Sequence, residues 1–179
     1  MYLSNSFYIS HNVSKVAAVV LLQVMLSSAC TNQPSLVEGT IDNGIRVEIK
    51  ATEQLNYYNG QAHSLYLSMY ELNSPTMFRA MIQNDSDRRT LLEGNWSHES
   101  VQAKQILSIQ PSESRKLVFD RTSKGRYLAI VAGFYDKNEK GSQTKLYSID
   151  VYKENIYWKK VSPKQLLVRL NLGRIGFAD

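Results

Sequence analysis

The chain reads as an all-β protein, a two-sheet β-sandwich with one short helical insertion, set behind an N-terminal export signal and tether. Three observations predict it. From Gly44 onward apolar and polar residues alternate with a period of two, the signature of half-buried strands. Clusters of Gly, Pro, Asn and Ser separate these runs at short intervals, as antiparallel connections require. No long helices alternate with the strands, which argues against a parallel α/β plan.

The elements follow in order. Ile45, Val47, Ile49 and Ala51 alternate with Arg46, Glu48 and Lys50, giving a first strand with one apolar and one charged face. Thr52 to His63 then forms a connection holding Leu55, Asn56, Tyr57, Tyr58 and Asn59. Ser64 to Leu72 is a second strand, with Leu65, Leu67 and Met69 on one face and Tyr66, Ser68 and Tyr70 on the other. A helical excursion interrupts the pattern: Ser74 suits an N-cap, Pro75 the first helical position, and Met77, Phe78, Met81 and Ile82 share one face. Ser86 to Glu93, closed by Gly94, suits a second short helix. This apolar stripe is expected to cover an open edge or end of the sandwich.

Further strands are expected over 104–109, 115–119, 126–135, 145–152, 157–161 and 165–172. Turn signals stand between most of them, at Pro111-Ser112, Ser123 to Gly125, Asn138 to Ser142 and Ser162-Pro163. In Arg126 to Tyr135 both alternating sets are apolar, so this strand should be central and buried on both faces.

The N-terminus has a different composition. Lys15 precedes an apolar stretch, Val16 to Leu26, that is long enough for a signal peptide and short of the roughly 20 residues a bilayer span needs. The only cysteine, Cys30, follows Ser27, Ser28 and Ala29. Leu26 to Cys30 resembles the bacterial lipobox, whose cysteine is lipidated and becomes the first mature residue, although Ser27 stands where an aliphatic residue is usual. The other reading is an ordinary secretory cleavage site that leaves a lone thiol, an unusual feature in an oxidising compartment. One acyl chain holds a protein only marginally, each buried CH₂ contributing about 0.8 kcal/mol, so the three chains of such lipoproteins make a lasting anchor. Thr31 follows the cysteine, and the aspartate that commonly retains such proteins at the inner membrane is absent, which favours the periplasmic face of the outer membrane. The expected organisation is a signal over 1–29, a lipidated polar tether over 30–43 and a sandwich over 44–179.

Loss of Lys15 lowers the formal charge of +5 by one, and the remaining basic residues are scattered singly. That distribution describes a solvated surface better than a nucleic-acid-binding patch. A single cysteine allows no internal disulfide, so stability rests on the apolar core that 43% hydrophobic residues can supply. His63 and His98 are isolated, and no glycine-rich phosphate loop, G-x-S-x-G elbow or H-x-x-x-H pair occurs. No catalytic residue, metal ligand, cofactor or small-molecule substrate is indicated, and the chain is not expected to be an enzyme.

Several motifs run through the mature chain in order: Leu55-Asn56, then Gly60 and Leu65, Met69-Tyr70-Glu71-Leu72, Phe78, Leu107 to Pro111, and Tyr127 to Phe134. With the lipobox and tether they resemble TssJ, the outer-membrane lipoprotein family of type VI secretion systems. Ser112 replaces a glycine common in the family after the proline, and a Trp-Arg pair that often follows the central strand has no counterpart. The resemblance implies a transthyretin-like β-sandwich anchored to the outer membrane through acyl chains on Cys30. It implies as partner the periplasmic part of the inner-membrane component TssM, and a contact through the first inter-strand loop, hence Leu55, Asn56, Tyr57 and Tyr58. From the residues alone, those tyrosines suit either an interface or packing over the sandwich end, and Leu55 and Asn56 suit core filling and a turn. An unrelated sandwich lipoprotein that binds a small apolar ligand or envelope glycan is the alternative, and it would need an apolar pocket between the sheets.

Overall fold

The computed structural model describes residues 40–136, 143–154 and 160–178. The expected signal, Cys30, the tether up to residue 39, the turn at Asn138 to Ser142 and the start of the run from Tyr157 lie outside them. In chain order the elements are β1 (Thr40–Ala51), β2 (Leu65–Leu72), α1 (Thr76–Met81), α2 (Asp85–Leu92), β3 (Val101–Ile109), β4 (Ser114–Thr122), β5 (Tyr127–Ala132), β6 (Thr144–Ser148), β7 (Val151–Glu154), β8 (Lys160–Pro163), β9 (Leu166–Leu172) and β10 (Phe177–Ala178).

Among the described residues these strands form two four-stranded sheets, β10-β9-β1-β4 and β3-β2-β5-β6, and a β7-β8 ribbon. β1 pairs antiparallel with β4 and parallel with β9, so strands from both ends of the domain meet in one sheet. The alternation read from the sequence decides what faces inward. Ile45, Val47 and Ile49 of β1, Val168 and Leu170 of β9, Leu65 and Leu67 of β2, and Leu128 and Ile130 of β5 are all buried in one core between the sheets. The fold is the expected all-β sandwich.

β5 is buried on both faces because the second sheet carries a further layer. Ala129 and Val131 turn away from the inter-sheet core and join Tyr70, Leu72, Phe78, Leu91 and Trp96 in a second cluster beneath the helices. The helices thus cover a sheet face, where the sequence suggested an edge or end. The polar groups of this layer are matched. Tyr70 donates to the Leu91 carbonyl, and Ser68 donates to that of Leu92 at 2.5 Å, so two β2 hydroxyls bond carbonyls of the last turn of α2, which have no regular i+4 helical N–H. Burial pushes the Tyr70 pKa up to about 12. The helix closes in a Schellman arrangement, Gly94 N–H to Leu91 O at 3.1 Å and Asn95 N–H to Thr90 O at 3.1 Å. At its start the cap is Asn84, whose side chain accepts from Ser86 N–H at 2.9 Å. In α1 the cap position belongs to Pro75, one residue after the expected Ser74.

Other boundaries shift for local reasons. β1 starts at Thr40, and Asp42-Asn43-Gly44, read as a turn, is an irregularity inside it where the register with β4 jumps between Ile41 and Ile45. Asn43 takes a φ of 53°, and its N–H is bonded to Asp120 Oδ1 at 2.9 Å. The run 145–152 splits into β6 and β7, because Ile149 turns into the inter-sheet core and its N–H bonds Arg126 O at 2.7 Å. Ser162-Pro163 ends β8 and pairs with Tyr152 and Val151 instead of making a turn. The short β10 had no signal in the sequence.

At the β1 entry lies a buried ionic cluster. Arg121, with 0% exposure, donates to the carbonyls of Gly125 at 2.7 Å, Asp150 at 3.3 Å and Lys164. Glu71, 2% exposed, accepts from both the N–H and the hydroxyl of Thr122 at 2.9 Å. Burial and the neighbouring Arg126 bring the Arg121 pKa down to about 10, against the opposing pull of Glu71.

Candidate partner-binding site

At the opposite end of β1 the Thr52–His63 connection is a fixed structure. Leu55 is fully buried and belongs to the inter-sheet core. Its N–H bonds Thr52 O at 3.2 Å and its carbonyl accepts from His63 N–H at 3.0 Å, closing the loop on itself. Asn56 is buried with φ 48°, a left-handed conformation that Asn tolerates better than most residues. Its Nδ2 donates to Ser64 O at 3.0 Å, and its Oδ1 accepts from Tyr135 N–H at 2.8 Å, so one side chain joins the starts of the loop and of β2 to the end of β5.

Beyond this base a small hairpin projects. Tyr58 and Gln61 exchange two backbone hydrogen bonds of 2.9 and 3.2 Å around Asn59-Gly60, whose φ values of 48° and 83° suit a type I′ turn. Tyr57 is half-buried and triply held: its N–H bonds Arg174 O at 2.9 Å, its hydroxyl donates to Gly60 O at 2.8 Å, and the Arg174 guanidinium lies 4.4 Å from its ring centre. Tyr58 is 48% exposed and stacks on Tyr135, with ring centroids 5.2 Å apart. His63 meets the same Tyr135 edge-on at 5.1 Å, and its Nε2 is 3.1 Å from Tyr58 O.

Of the four residues singled out in the sequence, Tyr57 and Tyr58 thus offer accessible surface, and Leu55 and Asn56 shape what lies beneath them. The sequence reading missed the part played by His63, at the end of the same loop, and by Tyr135 and Arg174, which the fold brings from elsewhere in the chain. Asn59-Gly60 was a readable hairpin signal, but nothing local announced that Tyr135 or Arg174 would join it. Beside Tyr135 a cavity of about 530 Å³ opens between α2 and the end of β5, with Leu92, Gly133 and Arg89 in its wall. Among the described residues no group of three or more His, Cys, Asp or Glu is placed to hold a metal.

Two packed sheets, a helix-covered face and an aromatic cluster at one end define a β-sandwich module. Residues 43–172 match the type VI secretion lipoprotein family described by VasD, EvfM and TssJ, and the chain belongs to that family. The fold is shared with the lipoprotein TssJ1 of Pseudomonas aeruginosa, at 21% identity and a TM-score of 0.52 over 79% of this chain and 94% of that one. It is shared with Serratia marcescens Lip, a membrane-bound component of the type VI secretion system, at 16% identity and a TM-score of 0.56 over 75% and 94%. A chain in the structure of the TssM C-terminal domain from EAEC matches at 14% identity and a TM-score of 0.54 over 78% and 95%. A search of curated proteins gives no match.

Proposed function

We propose that this lipoprotein ties the type VI secretion envelope complex to the outer membrane, held at its periplasmic face by acyl chains on Cys30 and binding the periplasmic part of TssM through the Thr52–His63 end of the sandwich. The observation that carries the reading is the pre-set pair of half-buried Tyr57 and exposed Tyr58 on a buried Leu55-Asn56 base. Rigid aromatics lose little conformational freedom on binding, so more of their contact energy survives as affinity. Family membership and the presence of a chain of this fold in a TssM structure support that choice of partner. The filled inter-sheet core favours this reading over a carrier of apolar ligands. The role is one of binding, with no catalytic step.

Two measurements test it. The detergent-solubilised full chain should bind the periplasmic part of TssM from the same cell, and a Tyr57→Ala, Tyr58→Ala double variant that melts normally should bind at least about thirtyfold more weakly. Unchanged affinity in that variant would remove the loop from the interface. Cys30→Ser should leave outer-membrane fractions or accumulate unprocessed, and wild-type processing and fractionation of Cys30→Ser would end the lipid-anchor reading.

A further inference from the structure

Resting on the reading that this end of the sandwich meets a secretion-system partner, we propose that Tyr135, outside the first loop, is a second anchor of the same contact surface and that Asn56 is the residue that positions it. Tyr135 follows the end of β5 and is 53% exposed. Its ring has nevertheless lost its freedom: Tyr58 covers one face and His63 approaches edge-on, at 5.2 and 5.1 Å. Its backbone is pinned by the 2.8 Å bond from its N–H to Asn56 Oδ1.

The arrangement differs from a ring that merely covers the core. Phe134, the preceding residue, already turns inward and is 3% exposed, so the sandwich end is sealed without Tyr135. What Tyr135 adds is an outward ring next to Tyr58, making a platform of two phenols with an imidazole against it. Such a platform fits a partner segment that lays a flat or apolar side chain, aliphatic, proline or guanidinium, across the rings. Asn56 cannot touch the partner, being 2% exposed, yet it alone bridges Ser64 O and Tyr135 N–H and so fixes the Tyr135 backbone relative to the hairpin.

The full chain in detergent, titrated with the periplasmic part of TssM from the same cell, tests the proposal. Tyr135→Ala should weaken binding about tenfold or more, whereas Tyr135→Phe, which keeps the ring, should stay close to wild type. Asn56→Gly accommodates the positive φ but loses the bridge, and should weaken binding; Asn56→Asp restores the acceptor for Tyr135 N–H and should recover part of the loss. Asn56→Gly combined with Tyr135→Ala should be no weaker than Tyr135→Ala alone, because both changes remove the same contact. A purely structural Asn56 would instead give additive losses that track the melting temperature, and that result overturns its positioning role. If Tyr57→Ala, Tyr58→Ala weakens binding and Tyr135→Ala does not, the platform is wrong while the loop reading stands. If the wild-type chain does not bind TssM at all, both fall. Tyrosine nitration of the wild-type chain supplies a check that needs no variant: Tyr135 should be modified in the free protein and protected in the complex, and equal modification in both states contradicts the proposal.

Discussion

A Cβ built on Gly44 would stand 2.6 Å from the Cβ of Arg121 and 3.0 Å from Ile41 O, so the β1 irregularity fits over the buried arginine only where residue 44 has no side chain. The arginine cannot retreat, because its guanidinium is bonded to carbonyls of three separate segments, at Gly125, Asp150 and Lys164. Gly44→Ala should therefore overpack the site and destabilise the domain by about 1–3 kcal/mol, read from the urea midpoint. A change within about 0.5 kcal/mol would mean that the bulge can lift off Arg121 at little cost.

Glu71 should make stability fall with rising pH. Its burial raises the carboxyl pKa above the ordinary 4.5, outweighing the two Thr122 hydrogen bonds and the charges of Arg121 and Arg126. A carboxyl whose folded pKa exceeds its unfolded value binds its proton more tightly in the fold. Its contribution is thus most favourable below pH 4.5 and is lost as the pH rises through the raised value. Glu71→Gln removes that titration while leaving an oxygen to accept from Thr122. Urea midpoints between pH 4 and 8 should show wild type losing ground to Glu71→Gln as the pH rises; a difference that is flat, or that grows in favour of wild type, would mean the arginines dominate.

Strand periodicity was legible because burial on a pleated sheet imposes it locally: Ile45, Val47 and Ile49 declare their face without knowledge of their partners. The same rule failed where one residue had to serve two purposes. Asp42-Asn43-Gly44 has turn chemistry but sits in a strand, since a bulge uses the same left-handed asparagine and small residue as a turn. The helices were legible as apolar stripes, but the surface they cover depends on Tyr70 and Val131, far away in sequence. At the contact end, Leu55 to Tyr58 formed one visible string. Tyr135 looked like the last residue of a buried strand, and only tertiary pairing through Asn56 reveals it as part of the platform.

Ile130 lies in the central strand with no exposed surface, packed among core residues of both sheets. Ile130→Ala removes most of a buried aliphatic side chain where close-packed neighbours from two sheets limit collapse, so it should cost about 2–5 kcal/mol. Denaturant unfolding measures it directly. A cost under about 0.5 kcal/mol would place residue 130 at the surface and shift the register of β5.

Gly60 separates loop geometry from loop contact. With φ 83° it occupies the second central position of the Tyr58–Gln61 hairpin, and no atom lies within 4 Å of a Cβ built there. Gly60→Ala therefore meets no steric neighbour and acts through the backbone alone, costing about 1–2 kcal/mol for a left-handed alanine. The hairpin is joined to the sandwich by bonds of Leu55, Asn56 and Tyr57 that the substitution leaves in place, so it can loosen locally while the domain stays folded. The melting temperature should fall only slightly, whereas affinity for the periplasmic part of TssM should drop several-fold, because Tyr58 must then be ordered at the moment of binding. Gly60→Asn, which restores a residue tolerant of positive φ, should recover much of that affinity. Equal affinities for wild type, Gly60→Ala and Gly60→Asn would show that the hairpin's conformation plays no part in recognition.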